Sequence, residues 1–370
     1  MRIIFAGGGT AGHVNPAIAA ADYIKSRENC EIYFSGSKGH IEEKLVPRSG
    51  YEIFLFPLRG LSRALSPKGL RQNAAAVQNA LAAVRECKRI IRRLQPDIVV
   101  GTGGYASFPM VYAAQKCGVR TALLEVNATP GMATRRLVKG ADCVMISHAE
   151  TEKLLGAAKR VVLTGSPVRR EIAEIAGKKA SSPFGGELPV VLSFWGSGGA
   201  QYMNEKMVDF ICLAAEKREL ANIHASGSRD YEKMKEALAA RGCDPEHAEN
   251  ILLCDYIYDM DKKLAQADLV ICRAGGTLAE LCAAGKPAIV VPSPHVTDNH
   301  QEKNARILER AGAVKVALEN EISGAELYDM AARLLKDREE MARMSACALK
   351  RAQPDALENI YNAIRDTVMH

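Results

Sequence analysis

The chain is 370 residues long, more than a single domain usually takes, so two domains are expected. Hydrophobic residues at 48% and charged residues at 25% fit a soluble globular protein with real cores, and no apolar stretch approaches the roughly 18 residues that span a bilayer. The net charge of +6, from 49 Lys and Arg less 43 Asp and Glu, is too mild to indicate nucleic acid.

The N-terminus runs from Arg2 straight into a strand-like segment, Ile3 to Ala6, unlike a secretory signal, and a cytoplasmic location is expected. Predicted strands are 2–6, 30–35, 52–56, 97–101, 120–124, 142–146 and 160–164, then 189–194, 222–226, 250–254, 268–272, 287–291 and 313–316. Helical patterns lie between most of them. This alternation predicts an α/β protein with parallel sheets and right-handed crossovers. The break at 165–190 is rich in Gly, Pro, Ser and Lys and reads as a linker. The expected domains are therefore 1–164 and 165–349, with a last helix at about 350–370 that could return to the first. Each half opens alike, IIFAGGGTAGHVNPAIAAA and VVLSFWGSGGAQYMNEKMVDF, so two nucleotide-binding-type domains are expected to face a cleft.

Between Arg59 and Arg93 stand nine Lys or Arg against one acid, Glu86. Apolar residues at Leu70, Ala74, Val77, Leu81, Val84, Ile91 and Leu94 predict a helix with that face buried. Its opposite face gathers Arg85, Arg89, Arg92 and Arg93, either an ordinary solvated face or a docking surface for an anionic membrane. Ten cysteines are scattered without metal spacing and are expected to be free thiols.

The loop Gly7-Gly8-Gly9-Thr10-Ala11-Gly12-His13 fits G-x-G-x-x-G, but the end of the second strand carries no acid to hold a ribose, which argues against nicotinamide. His13 at its mouth is a functional candidate. Gly101-Thr102-Gly103-Gly104-Tyr105 and Glu125-Val126-Asn127 follow later strands, so His13, Tyr105, Glu125 and Asn127 could line one wall. In the second half, Gly275-Gly276 leads into a helix at Thr277, with Glu280 at capping-box spacing. A polar loop with His295, Asp298, Asn299, His300 and Gln301 follows the next strand. A helix N-terminus suits a phosphate, and amides and imidazoles suit hydroxyls, which together describe a nucleotide-sugar site. Asp259-Met260-Asp261 resembles a metal-holding D-x-D, but N-capping explains it better, and no metal or other cofactor is expected.

These motifs together resemble the MurG family of glycosyltransferases over essentially the whole chain. The resemblance is carried by GGGTAGHVNPA, GTGGYASFP, EVNATPG, GSPVR, FWGSGGA, YIYDM, CRAGGTLAE and TDNHQEKNARILERAGA. It implies a GT-B fold and a metal-independent, inverting transfer of GlcNAc from UDP-GlcNAc to an undecaprenyl-linked muramyl-pentapeptide lipid at the cytoplasmic side of the membrane. It also implies roles. Arg169 and Ser197 would meet the diphosphate end, and the Ile257 backbone the uracil. Gly276, Thr277, Leu278 and Ala279 would cradle the pyrophosphate, and Glu280 would bond the ribose. Gln301 and Asn127 would read the sugar hydroxyls, and Thr10, Ala11 and Gly12 would touch the donor. His13 would lie near the reaction centre as the first choice of base, with Glu125 second. The chain departs from the family pattern at Ala11, at Leu124 and Val126, at Trp195 and Gly198, and in a turn before Thr277 that is one residue short. A glycolipid glycosyltransferase, a UDP-GlcNAc 2-epimerase and a non-catalytic nucleotide-sugar sensor are the alternatives.

Overall fold

The computed structural model describes residues 1–60, 66–196, 199–296 and 299–370, the side chains of 67–70 excepted. The chain forms two compact units, Met1–Arg169 with Asp355–His370, and Arg170–Pro354.

Among the described residues, unit 1 contains seven strands, β1 (Arg2–Gly7), β2 (Glu31–Ser37), β3 (Glu52–Phe56), β4 (Ile98–Gly103), β5 (Arg120–Glu125), β6 (Cys143–Ile146) and β7 (Val161–Leu163). Its helices are α1 (Ala11–Arg27), α2 (Glu42–Arg48), α3 (Pro67–Leu94), α4 (Phe108–Cys117) and α5 (Met132–Leu137). Unit 2 opens with α6 (Arg170–Ala173) and runs β8 (Val190–Phe194), α7 (Gln201–Lys217), β9 (Ala221–Ala225), α8 (Tyr231–Ala240), β10 (Ile251–Cys254), α9 (Met260–Gln266) and β11 (Leu269–Cys272). It continues with α10 (Thr277–Ala284), β12 (Ala288–Val290), α11 (His300–Arg310), β13 (Val314–Val316), α12 (Gly324–Lys336) and α13 (Arg338–Leu349). The last helix, α14 (Ala356–Met369), belongs to unit 1.

The sheet orders are β3-β2-β1-β4-β5-β6-β7 and β10-β9-β8-β11-β12-β13, with every pair parallel. Both are doubly wound, as the alternating pattern predicts. Central strands are covered by helices on both faces, which is why Ile3–Ala6 and Val190–Phe194 are buried throughout. In each order the chain direction reverses beside the first strand. The crevice for a ligand in such a sheet opens there, at the carboxyl ends. In unit 1 this lies between the loops after β1 and β4, and in unit 2 between those after β8 and β11.

Helix α3 corrects the expected buried face. Ala83, Val84, Cys87, Ile90 and Ile91 pack with Met110, Ala113 and Ala114 of α4 in one apolar cluster. The small side chains of Ala83 and Cys87 let the two helices approach closely. Extended toward the N-terminus, that stripe falls on Ala76, which is buried, and turns Val77 and Leu81 outward at 50% and 56% exposure. They join Arg85 and Arg89 on the solvent side.

Helix α14 seats Ile360, Ala363 and Ile364 in the cluster that holds Ile3, Phe5, Ala17 and Ala21. Arg160 pairs with Asp366 at 3.0 Å on its rim. All ten cysteines are free.

Candidate active site

In unit 1, β1 ends in glycines because the backbone must turn sharply into α1; Gly9 has φ +83°. Thr10 caps α1 with its backbone, accepting the His13 N–H at 3.1 Å, and makes no side-chain cap. Ala11 and Gly12 form the first turn. His13 then reaches the loop after β4, where its Nδ1 lies 3.1 Å from the Thr102 carbonyl oxygen. A carbonyl only accepts, so in the neutral ring Nδ1 carries the proton and Nε2 keeps the lone pair. Thr102 Oγ1 donates to the His13 carbonyl at 2.9 Å. The imidazole is seated on glycines: a Cβ at Gly103 would stand 2.6 Å from Nδ1, and one at Gly104 3.1 Å from Cδ2. The two switch-point loops thus hold one histidine in one tautomer.

Tyr105 lies against the same turn, where a Cβ on Gly9 would meet its ring at 3.2 Å. Its hydroxyl is 2.9 Å from His40 Nε2, and burial pushes the phenol pKa up. His40 carries no signal in the sequence. Neither does Glu42, whose carboxylate accepts the Gly9 N–H from beneath the turn.

Glu125 ends β5 at 4% exposure. It accepts from Asn127 N at 3.1 Å, Asn127 Nδ2 at 3.0 Å, Gly131 N at 2.9 Å and Thr134 Oγ1 at 2.7 Å. Four donors match the roughly four lone-pair sites of a carboxylate. The group is thus built as a brace for the 126–134 loop, and this geometry favours His13 over Glu125 as a base.

In unit 2 the loop after β8 includes Ser197 and Gly198, which lie outside the described residues. Trp195, just before it, is 4% exposed, and the Arg273 guanidinium stands 5.6 Å from its ring centroid. Arg273 opens the loop after β11, donates to the Val291 carbonyl at 3.0 Å and forms a buried ion pair with Glu319. Burial pulls the guanidinium pKa down, against the opposing pull of Glu319. This cluster ties together the ends of β8, β11 and β12.

Helix α10 begins at Thr277 as expected, but the capping box does not form. Gly276 occupies the cap with helical φ and ψ of −57° and −23°, and no side-chain cap is made. Helical geometry therefore starts one residue early and leaves Glu280 a position too far in. Its side chain is buried at 8% exposure. The N–H groups of Leu278 and Ala279 meet the carbonyls of Gly275 and Gly276 at 3.2 Å. Among the described residues, the amides that α10 leaves for an anion are those of Gly276 and Thr277. A complete capping box does occur at Ser323 and Glu326, at the start of α12.

Ile257 is buried in the loop after β10, between Tyr256 and Tyr258, whose rings are 4.8 Å apart. Asp259 caps α9 by position, but its side chain makes no cap bond and lies 4.0 Å from Lys263. Gln301 stands in the first turn of α11, and its Oε1 accepts the Ser293 N–H at 2.8 Å, which orients the amide Nε2 as its donor end. Asp298 lies outside the described residues, and Arg169 is the last residue of unit 1's main segment. Among the described residues no cluster of three His, Cys, Asp or Glu could hold a metal ion.

Residues 3–146 match the glycosyltransferase family 28 N-terminal domain, and residues 190–360 match the family 28 C-terminal domain. The UDP-N-acetylglucosamine--N-acetylmuramyl-(pentapeptide) pyrophosphoryl-undecaprenol N-acetylglucosamine transferase of Acetivibrio thermocellus is 39% identical, over 99% of this chain and 98% of its own. The chain belongs to the MurG family, within glycosyltransferase family 28. A MurG relative from Ruminiclostridium cellulolyticum is 37% identical over 100% of both chains. The crystal structure of Acinetobacter baumannii MurG superposes with a TM-score of 0.67 at 27% identity, covering 99% of each chain. The UDP-GlcNAc 2-epimerase of Neisseria meningitidis has the same TM-score, 0.67, at 13% identity over 100% of both chains, a likeness of fold alone.

Proposed function

We infer that this chain transfers GlcNAc from UDP-GlcNAc to the undecaprenyl-pyrophosphoryl-MurNAc-pentapeptide lipid, the step from lipid I to lipid II in peptidoglycan synthesis. The observation that carries this reading is 39% identity over 99% of the chain to a transferase of that name.

Unit 2 is proposed to hold the donor. The Gly276 and Thr277 amides, with Leu278 and Ala279 completing the turn, would meet the pyrophosphate, and Arg169 and Ser197 would add to it. Glu280 would accept from the ribose hydroxyls, the Ile257 backbone would hold the uracil, and the Nε2 donor of Gln301 would read a sugar hydroxyl with Asn127. Thr10, Ala11 and Gly12 would contact the donor from unit 1, and Tyr105 would serve the acceptor. The acceptor's muramyl hydroxyl attacks the anomeric carbon as UDP leaves, so the α-linked donor becomes a β-linked product. His13 Nε2 takes the hydroxyl proton, because Nδ1 is already committed to Thr102. The positive end of α10 stabilises the charge that develops on the leaving diphosphate.

Docking of unit 1 on an anionic membrane is part of the same proposal. It is supported by Val77 and Leu81, exposed on the same side of α3 as Arg85 and Arg89. Two apolar side chains among cations suit an interface of acyl chains and headgroups. No helix among the described residues is long and apolar enough to cross a membrane, so attachment would be peripheral.

The test is transfer of labelled GlcNAc onto the muramyl-pentapeptide lipid. Lipid-dependent release of UDP with a labelled disaccharide lipid is expected. Epimerisation or hydrolysis of UDP-GlcNAc without any lipid would overturn the reading.

A further inference from the structure

We propose that Glu42 is a positioning residue for this transfer, holding the turn that aims His13, an inference that rests on the reading above. Glu42 opens α2 and is fully buried. Both of its carboxylate oxygens face the Gly9 N–H, at 2.9 and 3.0 Å, and Oε1 also accepts the Ser37 N–H at 2.9 Å. Among the described residues, no Lys, Arg or His pairs with it. A buried carboxylate held only by backbone amides is costly to place and needs those hydrogen bonds.

The space around the carboxylate is fitted to it. A Cβ on Gly8 would fall 2.0 Å from Oε1, and one on Gly36 2.7 Å from Cγ. Both glycines are therefore required by the one side chain that lies between them. Through Gly9 the carboxylate fixes the link between β1 and α1, and four residues later that link delivers His13. Tyr105 closes the other side of Gly9, so the turn is gripped from two directions.

The grip has a chemical consequence. The Gly9 amide is already spent on an anion of the protein, so a phosphate placed there would lose a donor and meet a like charge. The turn Gly8-Gly9 serves to hold the base in place. The sequence shows no acid at the end of β2, where a ribose-binding acid would stand. The acid comes one turn later and points at the protein's own backbone.

Two variants disturb this contact from opposite sides. Glu42→Gln keeps the shape but opposes an amide NH2 to a backbone N–H, and Gly8→Ala pushes a methyl against an intact carboxylate. Each is measured as the full chain for lipid-dependent GlcNAc transfer, UDP affinity by calorimetry, and thermal unfolding. A fall in kcat of at least tenfold, with UDP affinity within about twofold of wild type, is expected of both, since a lost alignment of one general base costs about that much or more. Unchanged kcat in either folded variant would overturn the proposal, and so would a loss that follows UDP affinity or fraction folded. If one variant does not fold, the other decides. Wild-type turnover separates the two readings: an inactive wild type refutes the transfer itself, whereas an active wild type with active variants refutes only the role of Glu42.

Discussion

His224 predicts a pH limit on unit 2 that can be worked out from its surroundings. The imidazole is fully buried on β9. Nδ1 lies 2.8 Å from Ser193 Oγ and Nε2 lies 3.3 Å from Asn204 Oδ1, while Asn204 Nδ2 donates to the Ser226 carbonyl at 2.8 Å. Burial pushes the ring's pKa down from 6.5 to about 3, partly offset by its bond to Ser193. The folded pKa is below the unfolded one, so the unfolded chain binds the extra proton between those values. Stability is full above pH 6.5 and is lost as pH falls toward 3. At pH 5 the loss from this group is roughly 2 kcal/mol, at 1.36 kcal/mol per pKa unit. The assay is urea unfolding at pH 7 and pH 5, read through Trp195. It is the only tryptophan and lies 6.3 Å from the His224 ring, so its emission reports on unit 2. His224→Asn loses packing at both pH values but has nothing to titrate. Wild type should therefore lose about 2 kcal/mol more than the variant between the two pH values. Equal losses, within about 0.5 kcal/mol, would show that the buried His224 imidazole does not set this limit, given the error of linear extrapolation.

Three further outcomes are expected. His13→Ala should lower turnover of a soluble lipid-acceptor analogue by about 10² or more, and a loss under about tenfold would exclude it as the base. Glu280→Ala should weaken UDP binding by about 1–3 kcal/mol in calorimetry if its carboxylate bonds the ribose, and unchanged affinity would mean that Glu280 does not hold it. Leu81→Asp combined with Arg89→Glu should abolish salt-sensitive binding to anionic vesicles while leaving UDP affinity intact. Retained vesicle binding would remove α3 from the membrane proposal.

The predicted strands all appear because a parallel strand buried on both faces is written as a short apolar run between turn residues, a local signal. The glycine turns after β1, β4 and β11 are legible for the same reason. What escapes is set by partners distant in the chain. Glu42 looks like an ordinary first-turn acid until β2 and β1 pair and bring Ser37 and Gly9 to it. Arg273 and Glu319 are 46 residues apart and meet only through the order of the second sheet. In α3, periodicity identifies the helix correctly, but packing on α4 selects the smaller residues for the interior. At α10, Thr277 and Glu280 have the right spacing for a cap, and one helical glycine before them displaces it.

The return of α14 makes unit 2 an insertion within unit 1, because the chain leaves the first unit after Arg169 and re-enters it at Asp355. During synthesis the sheet of unit 1 is complete long before Ile360 and Ile364 exist to cover it. Until then the apolar surface formed by Ile3, Phe5 and Ala17 lacks part of its lid. Unit 2, made in between, is continuous and can close its own core first. The order of maturation is therefore inverted relative to the order of translation. A nascent chain stalled before residue 356 would expose a sticky first unit beside a finished second one, the form in which a chaperone or protease would meet it.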